Sequence, residues 1–223
     1  MLWRPQSRRC ALRPMSREKT LILSGLLLIG GMAISFVNAF DSATWLLEVA
    51  PVLIALPLLA ATYRRFSLTG LLYGLIFAHA LVLIVGGTYT YARVPFGFWM
   101  QDVLALGRNP YDKIGHFMQG LVPVLVAREI LLRGAYVAGR RMAGFLSGCV
   151  TLAISAFYEL IEWWVALAIG QDADAFLGTQ GDPWDTQSDM FLAMIGALAG
   201  LALLSGLQDR QMRQLSLNQT SSH

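Results

Sequence analysis

Six apolar stretches, each close to the ~20 residues an α-helix needs to cross a bilayer core, leave this chain of 223 residues little choice of architecture. They run over residues 20–40, 43–62, 67–87, 112–132, 142–169 and 187–207. In hydrocarbon every backbone N–H and C=O has to find its partner inside the structure, which admits helices and closed barrels only. Unbroken apolar runs of this length carry the helical signal and not the alternation of a barrel strand. The expected fold is therefore all-α, a polytopic membrane protein with six transmembrane helices in one bundle. Composition adds an exclusion: with 56% apolar residues, 14% charged residues and a mean hydropathy of +0.54, too little polar chain remains for a soluble domain. The expected division is a basic segment over 1–19, a membrane domain over 20–207 and a polar tail over 208–223.

Lysine and arginine placement orients such a bundle. Arg4, Arg8, Arg9, Arg13, Arg17 and Lys19 precede the first span, and Arg64 and Arg65 fill the second connection. Arg133, Arg140 and Arg141 fill the fourth, and Arg210 and Arg213 lie in the tail, against Arg93, Arg108 and Lys113 on the opposite side. Both termini are expected in the cytoplasm of a bacterial inner membrane. Most acids segregate to the other side; Glu18, Glu129 and Asp209 are the ones that fall inside. The net charge of +3 then reads as anchoring to the inner leaflet, so the expected partner is the lipid bilayer and not nucleic acid. Trp45, Trp99, Trp163, Trp164 and Trp184 are all expected at the outer interface, where amphipathic rings settle.

The first span reads as a retained signal anchor. Ser7-Arg8-Arg9 faintly resembles a twin-arginine signal and Val37-Asn38-Ala39 a cleavage site, but the apolar run exceeds a signal-peptide core. Met15 opens a tidier start, which makes residues 1–14 a candidate start-site artefact. Cys10 and Cys149 cannot meet and offer no metal spacing, so both read as inert thiols.

Small and polar residues inside the spans carry further expectations. Gly25, Gly30 and Gly31 should let a neighbouring helix approach the first span closely. Pro51 and Pro57 should kink the second, and Glu48 near its outer end reads as an interfacial carboxylate. His79 lies ~12 Å below Gly87 by helical rise and reads as a hydrogen-bonded core residue. The aromatic connection 88–111 should lie in the headgroup region with a short amphipathic helix near 98–106, either a plain cap on the bundle or a gate for lipid entry.

Acidic and histidine side chains gather at the outer ends of the last three spans. Asp112 and His116 are four apart and share a helix face, with Gln119 one turn deeper. Glu159 and Glu162 share a face of the fifth span, Glu159 being ~16 Å from Gly170. In Gly-Asp-Pro-Trp-Asp-Thr-Gln-Ser-Asp-Met, Asp182 and Asp185 precede Asp189, and Asp185 reads as the helix cap. Asp172 and Asp174 read as solvated loop acids. Carboxylates at membrane depth are costly and face a cavity, a metal or a pathway. No arginine or lysine occurs at comparable depth on the outer half of any helix, and Lys113 should point ~100° away from Asp112, which leaves protons, the two histidines or a metal ion as neutralisers. Oxygen donors with one histidine suit zinc, manganese or magnesium. The expected ligands are Asp112, His116, Glu162, Asp185 and Asp189, with Glu159 and Glu162 as catalytic acid–base groups.

Several of these strings are shared with a known family. Tyr-Thr-Tyr-Ala-x-Val-Pro, Arg-Asn-Pro-Tyr-Asp-Lys-Ile-Gly-His-Phe, Tyr-Glu-Leu-Ile-Glu-Trp and Gly-Asp-x-Trp-Asp-Thr-Gln-Ser-Asp-Met resemble the YjdF-like family of uncharacterised bacterial inner-membrane proteins, over most of the chain beyond residue 20. More distantly, the last three spans resemble VanZ-like membrane proteins, associated with glycopeptide resistance. The VanZ-like pattern falls on Asp112, Lys113, His116, Glu159, Asp189 and Gly196. The chain departs from it in Glu162, where those proteins often carry glutamine, in Ala193, where they carry asparagine, and in lacking an arginine in the matching part of the preceding loop.

Three functions compete at this stage. A metal-assisted hydrolase or transferase would act on an outer-leaflet lipid or envelope precursor. A proton- or ion-coupled transporter would use the carboxylates as protonation sites, against which stand the absence of an inverted repeat and the scarcity of acids in the inner half. A non-catalytic envelope or accessory protein would carry the cluster for structure alone.

Overall fold

The computed structural model describes residues 16–169 and 180–220. Cys10, Met15, Asp172, Asp174 and the arginines before Arg17 lie outside the described residues. Among the described residues six helices are long and apolar enough to cross a membrane: Arg17–Val37, Ser42–Thr62, Gly70–Thr88, Tyr111–Arg133, Arg140–Ala168 and Asp185–Leu217. The first three are α1 (Arg17–Val37), α2 (Ser42–Thr62) and α3 (Gly70–Thr88). A short helix α4 (Pro95–Val103) precedes α5 (Tyr111–Arg133) and α6 (Arg140–Ile169). The last span is α7 (Asp185–Ala199), a π turn over Gly200–Leu204, and α8 (Ser205–Thr220). Every regular element among the described residues is helical.

Local chemistry sets several of these boundaries. Asp41 accepts a hydrogen bond from Thr44 N at 2.7 Å and so caps α2; the hydrogen bonds from Thr44 hold its carboxyl below the usual range. α2 runs unbroken through Pro51 and Pro57. The short helix starts at Pro95, three residues before the expected 98, because proline suits the first helical turn, where its missing N–H is no loss. Asn109 starts α5 by accepting from Tyr111 N at 3.0 Å while donating to Val94 O at 3.0 Å, which joins the openings of α4 and α5.

α5 is the centre of the bundle, packed against α3, α6 and α7. Its tightest contact is with α7, where a Cβ on Gly120 would fall 1.8 Å from the Ala193 carbonyl oxygen and one on Gly196 would fall 2.0 Å from that of Phe117. Backbones this close need glycine on both sides. By contrast Gly25, Gly30 and Gly31 of α1 face nothing within 4 Å, so the expected close approach lies elsewhere. The reason is that α1 sits at the edge of the bundle: its buried residues Leu28, Met32 and Ser35 lie in its later half, against α2 and α3. Trp45 differs from the other interfacial tryptophans for the same reason. It is buried in the α1–α2–α3 core and donates Nε1–H to Ser35 Oγ at 2.8 Å, whereas Trp99, Trp163, Trp164 and Trp184 are exposed.

The basic end of the bundle holds a polar network that reaches inside the helices. Glu129 is fully buried and accepts from Thr69 N at 2.9 Å, Thr69 Oγ1 at 2.8 Å and Arg133 at 2.8 Å. Arg128 pairs with Asp209 at 2.9 Å and donates to Gln208 Oε1, while Gln208 Nε2 donates to Leu125 O at 2.7 Å. Gln208 is fully buried, so the last helix stays part of the packed bundle beyond residue 207. The π turn just before it shifts the phase of the helix.

Candidate metal centre

α5 and α7 carry the site. His116 lies in the second turn of α5, and Asp112, four residues earlier, shares its face; the α5–α7 contact at Gly120 and Gly196 brings Asp189 alongside. His116 Nε2 is 3.3 Å from Asp112 Oδ1 and 3.7 Å from Asp189 Oδ2. One donor atom from each of Asp112, His116 and Asp189 falls within 4.8 Å of the others, with His116 and Asp189 buried. On the far side of the ring, His116 Nδ1 lies 3.0 Å from Gln119 Oε1. A proton donated there leaves the Nε2 lone pair facing the two aspartates, the arrangement by which an outer partner orients a metal-binding imidazole.

Basic side chains hold the rim of this site. Lys113 Nζ donates to Ser188 Oγ at 2.7 Å and stands 3.5 Å from Asp189 Oδ1 and 3.9 Å from Asp185 Oδ1. The helical offset from Asp112 therefore carries Lys113 toward α7 and not out of the cluster. Arg108 reaches Asp185 at 2.5 Å and Asp182 at 3.2 Å. Asp185 is thus an ion-pair partner and not the cap it reads as in sequence: it is the first residue of α7, whose cap position is Trp184, and Asp182 accepts the Trp184 N–H at 2.9 Å.

Behind the triad lies a second acidic layer. Glu159 is buried, its Oε1 3.9 Å from His116 Nδ1 and without a hydrogen-bond partner. Glu162 lies within electrostatic reach of Glu159, Glu48, His116 and Asp112, outside the three-residue donor group. Glu48 belongs to this layer and is no lone interfacial carboxylate: Tyr158 Oη donates to it at 3.1 Å. Tyr91 closes the layer from above. Thr90 and Tyr91 both take left-handed φ, 52° and 49°, and the Tyr91 ring seats against Gly86 and Gly115, where a Cβ would come within 2.4 and 2.8 Å of it. Burial, with Glu48 and Asp112 nearby, pushes the Tyr91 hydroxyl well above its ordinary range, so it stays a donor. His79 Nε2 is buried with no hydrogen-bond partner, unlike the satisfied core histidine expected there.

Of the sequence-predicted residues, the structure brings Asp112, His116 and Asp189 together, sets Glu159 beside His116, and ties Asp185 to Arg108. Glu48, Tyr158, Tyr91, Ser188 and Asn109 are the members that sequence reasoning left out. Among the described residues, the ion pairs of Arg108 and Lys113 go to Asp182, Asp185 and Asp189, and none reaches Glu48, Glu159 or Glu162.

Inner membrane protein YjdF of Escherichia coli (strain K12) is 64% identical over 181 residues, covering 81% of this chain and 87% of that protein. No solved structure matches. The family described as "Predicted membrane protein (DUF2238)" matches residues 20–210, which takes in all six spans up to the buried Gln208, and the chain belongs to that family.

Proposed function

We propose that this chain is a multi-pass inner-membrane protein with both termini in the cytoplasm, whose outward-facing acidic end binds one divalent cation and serves a hydrolase or transferase reaction on an outer-leaflet lipid or envelope precursor. The membrane assignment draws on the name of the E. coli relative, and the orientation on Arg64, Arg65, Arg133, Arg140 and Arg141, which lie at the opposite end from the site. The single observation that carries the site reading is the Asp112–His116–Asp189 donor group beside the unpartnered Glu159 Oε1, at the end of a membrane-spanning bundle.

The residues fit a cation on two grounds. Two carboxylate oxygens and one imidazole nitrogen suit zinc, manganese or magnesium and leave positions open for water and substrate. The second ground is charge: Glu48, Asp112, Glu159, Glu162, Asp185 and Asp189 share one region with Arg108, Lys113 and His116. Uncompensated carboxylates at membrane depth are too costly for a bundle to carry without a counter-charge.

A divalent cation held there would supply Lewis acidity and a water of lowered pKa. The chain's own residues do the rest. Gln119 holds the His116 ring; Lys113, itself bonded to Ser188 Oγ, holds Asp189; Arg108 fixes the start of α7 through Asp185. Glu159, with a free oxygen beside His116, takes the proton of the attacking water as general base. Glu162, one turn further out and protonated at the start, gives its proton to the leaving group, the proton gained by Glu159 passes to Glu162 to reset the pair, and Glu48 with Tyr158 keeps that second carboxylate layer in place. The aromatic helix α4, with Phe96, Phe98 and Trp99 exposed, lies where a lipid substrate would arrive.

The test is a comparison of envelope lipids from a strain lacking the protein, complemented with the wild type or with Glu159→Gln. A lipid-linked species that accumulates without the protein, disappears with the wild type and persists with Glu159→Gln is the expected outcome. A Glu159→Gln strain indistinguishable from the wild-type one removes the catalytic reading and favours an accessory role.

A further inference from the structure

A cavity of about 970 Å³ opens at the basic end of the bundle, between α1, α2 and α3, far from the acidic site. It exists because α1 packs on α2 and α3 from Leu28 onward and is tied again at Arg17, but not along the stretch between. At the acidic end Ser35 Oγ meets Thr88 Oγ1 at 2.5 Å and Ile84 O at 3.1 Å, and takes the Trp45 N–H. At the basic end the Arg17 guanidinium donates to Leu68 O and lies 5.6 Å from the centre of the Tyr73 ring. Along the stretch between, Gly25 of α1 and Gly74 of α3 both line the cavity, and a Cβ on either would touch nothing within 4 Å.

The chemistry of the walls identifies the occupant. Toward the middle of the helices the lining is apolar, with Met32, Leu53 and Phe77, and its charged and phenolic members Arg17, Glu18, Tyr63 and Tyr73 lie toward the basic end. Water does not fill an apolar space of this kind, and an empty one would forfeit the contacts of every side chain around it. The volume falls in the ~300–1,000 Å³ range of ligand pockets, and its walls are helices that lie in hydrocarbon when the six helices span a membrane. Arg17 and Glu18 line the cavity at this end, and Lys19, Arg64 and Arg65 are exposed next in sequence to the lining residues Glu18 and Tyr63. Each such cation near the membrane surface attracts anionic lipid by ~1 kcal/mol.

We propose that this cavity binds one anionic phospholipid, its acyl chain between α1, α2 and α3 and its phosphate at the basic end beside Arg17, so that the first part of α1 joins the bundle through a lipid. The proposal does not rest on the catalytic reading of the acidic end. It is tested on the full chain purified in mild detergent, by native mass spectrometry with added phosphatidylglycerol or phosphatidylcholine of the same acyl chains. Wild-type protein should retain one phosphatidylglycerol in preference to phosphatidylcholine by about tenfold, the discrimination expected from one or two added charge contacts. Gly25→Phe with Gly74→Phe fills the cavity from both sides and should abolish that retention while the thermal unfolding midpoint holds or rises. Where the double variant fails to fold, Gly25→Leu, on the edge helix, replaces it. Arg64→Gln with Arg65→Gln should keep a lipid bound but lose the preference for phosphatidylglycerol. Equal retention of the two lipids by the wild type, or retention unchanged by the filling variants, overturns the proposal.

Discussion

Tyr158 of α6 donates its hydroxyl to the Glu48 carboxylate of α2 at 3.1 Å, across 110 residues of sequence. Glu48 is half-buried at that point, and Tyr158 is its described hydrogen-bond donor. The bond joins the α1–α2–α3 half of the bundle to the α5–α6–α7 half at the level of the acidic site. Tyr158→Phe removes the donor and leaves the carboxylate, so it should lower stability by about 1–3 kcal/mol, the cost of an orphaned buried polar group. Glu48→Gln keeps an acceptor and should cost less. Thermal unfolding of the two variants in one detergent measures the difference, and a more damaging Glu48→Gln contradicts the assignment.

The glycines of the chain divide into two classes with opposite expected responses to alanine. At Gly120 and Gly196 a Cβ runs into backbone of the facing helix, so alanine should force α5 and α7 apart, costing about 1–3 kcal/mol or more. It should also weaken the site, because that contact sets Asp189 beside His116. At Gly30 and Gly31 there is open space, and alanine should be neutral or stabilising by up to about 1 kcal/mol through helix propensity. Unfolding midpoints of the four single variants test both halves of this expectation.

Glu129 anchors the basic end. It is fully buried and its two oxygens take bonds from Thr69 and Arg133. Glu129→Ala strands the arginine and the Thr69 donors and should cost about 3–5 kcal/mol, as for other broken buried pairs. Glu129→Ala with Arg133→Met removes the stranded cation and should recover part of that loss. A double variant as unstable as the sum of the singles would show that the two residues act independently.

The orientation is open to a direct test. Reporter fusions after Asp41 and Arg108 should read periplasmic, and fusions after Arg65 and Gly134 cytoplasmic. The reverse pattern would place the acidic site inside the cell and remove any envelope substrate.

What the sequence revealed and what it hid follow from the range of the forces involved. The six spans were legible because length and hydropathy act within one segment, and they recur as helices to within a few residues at most ends. The last is the exception: Gln208 and Asp209 read as tail because their partners, Leu125 and Arg128 on α5, lie about eighty positions away. Asp112 and His116 were visible as one face because four residues make about one helical turn. Glu48 was not, since nothing near it in sequence announces Tyr158. Asp185 looked like a cap because its local context is that of a helix start, while the Arg108 that takes its carboxylate is contributed by a different loop. The small-residue pattern in α1 misled for a related reason: glycine permits close approach, but only a neighbouring helix supplies it.

The central claim is that Asp112, His116 and Asp189 hold a divalent cation, and metal content per chain tests it most directly. Protein purified without chelators and analysed by plasma mass spectrometry should carry about one zinc, manganese or magnesium ion per chain, as three protein ligands and open positions imply. His116→Ala and Asp189→Asn should reduce that content at least about tenfold, and Gln119→Ala, which loosens the ring and removes no ligand, should weaken metal retention about 10–100-fold. Metal-free wild-type protein whose unfolding midpoint ignores added zinc, manganese and magnesium, with His116→Ala and Asp189→Asn no less stable, would contradict the account.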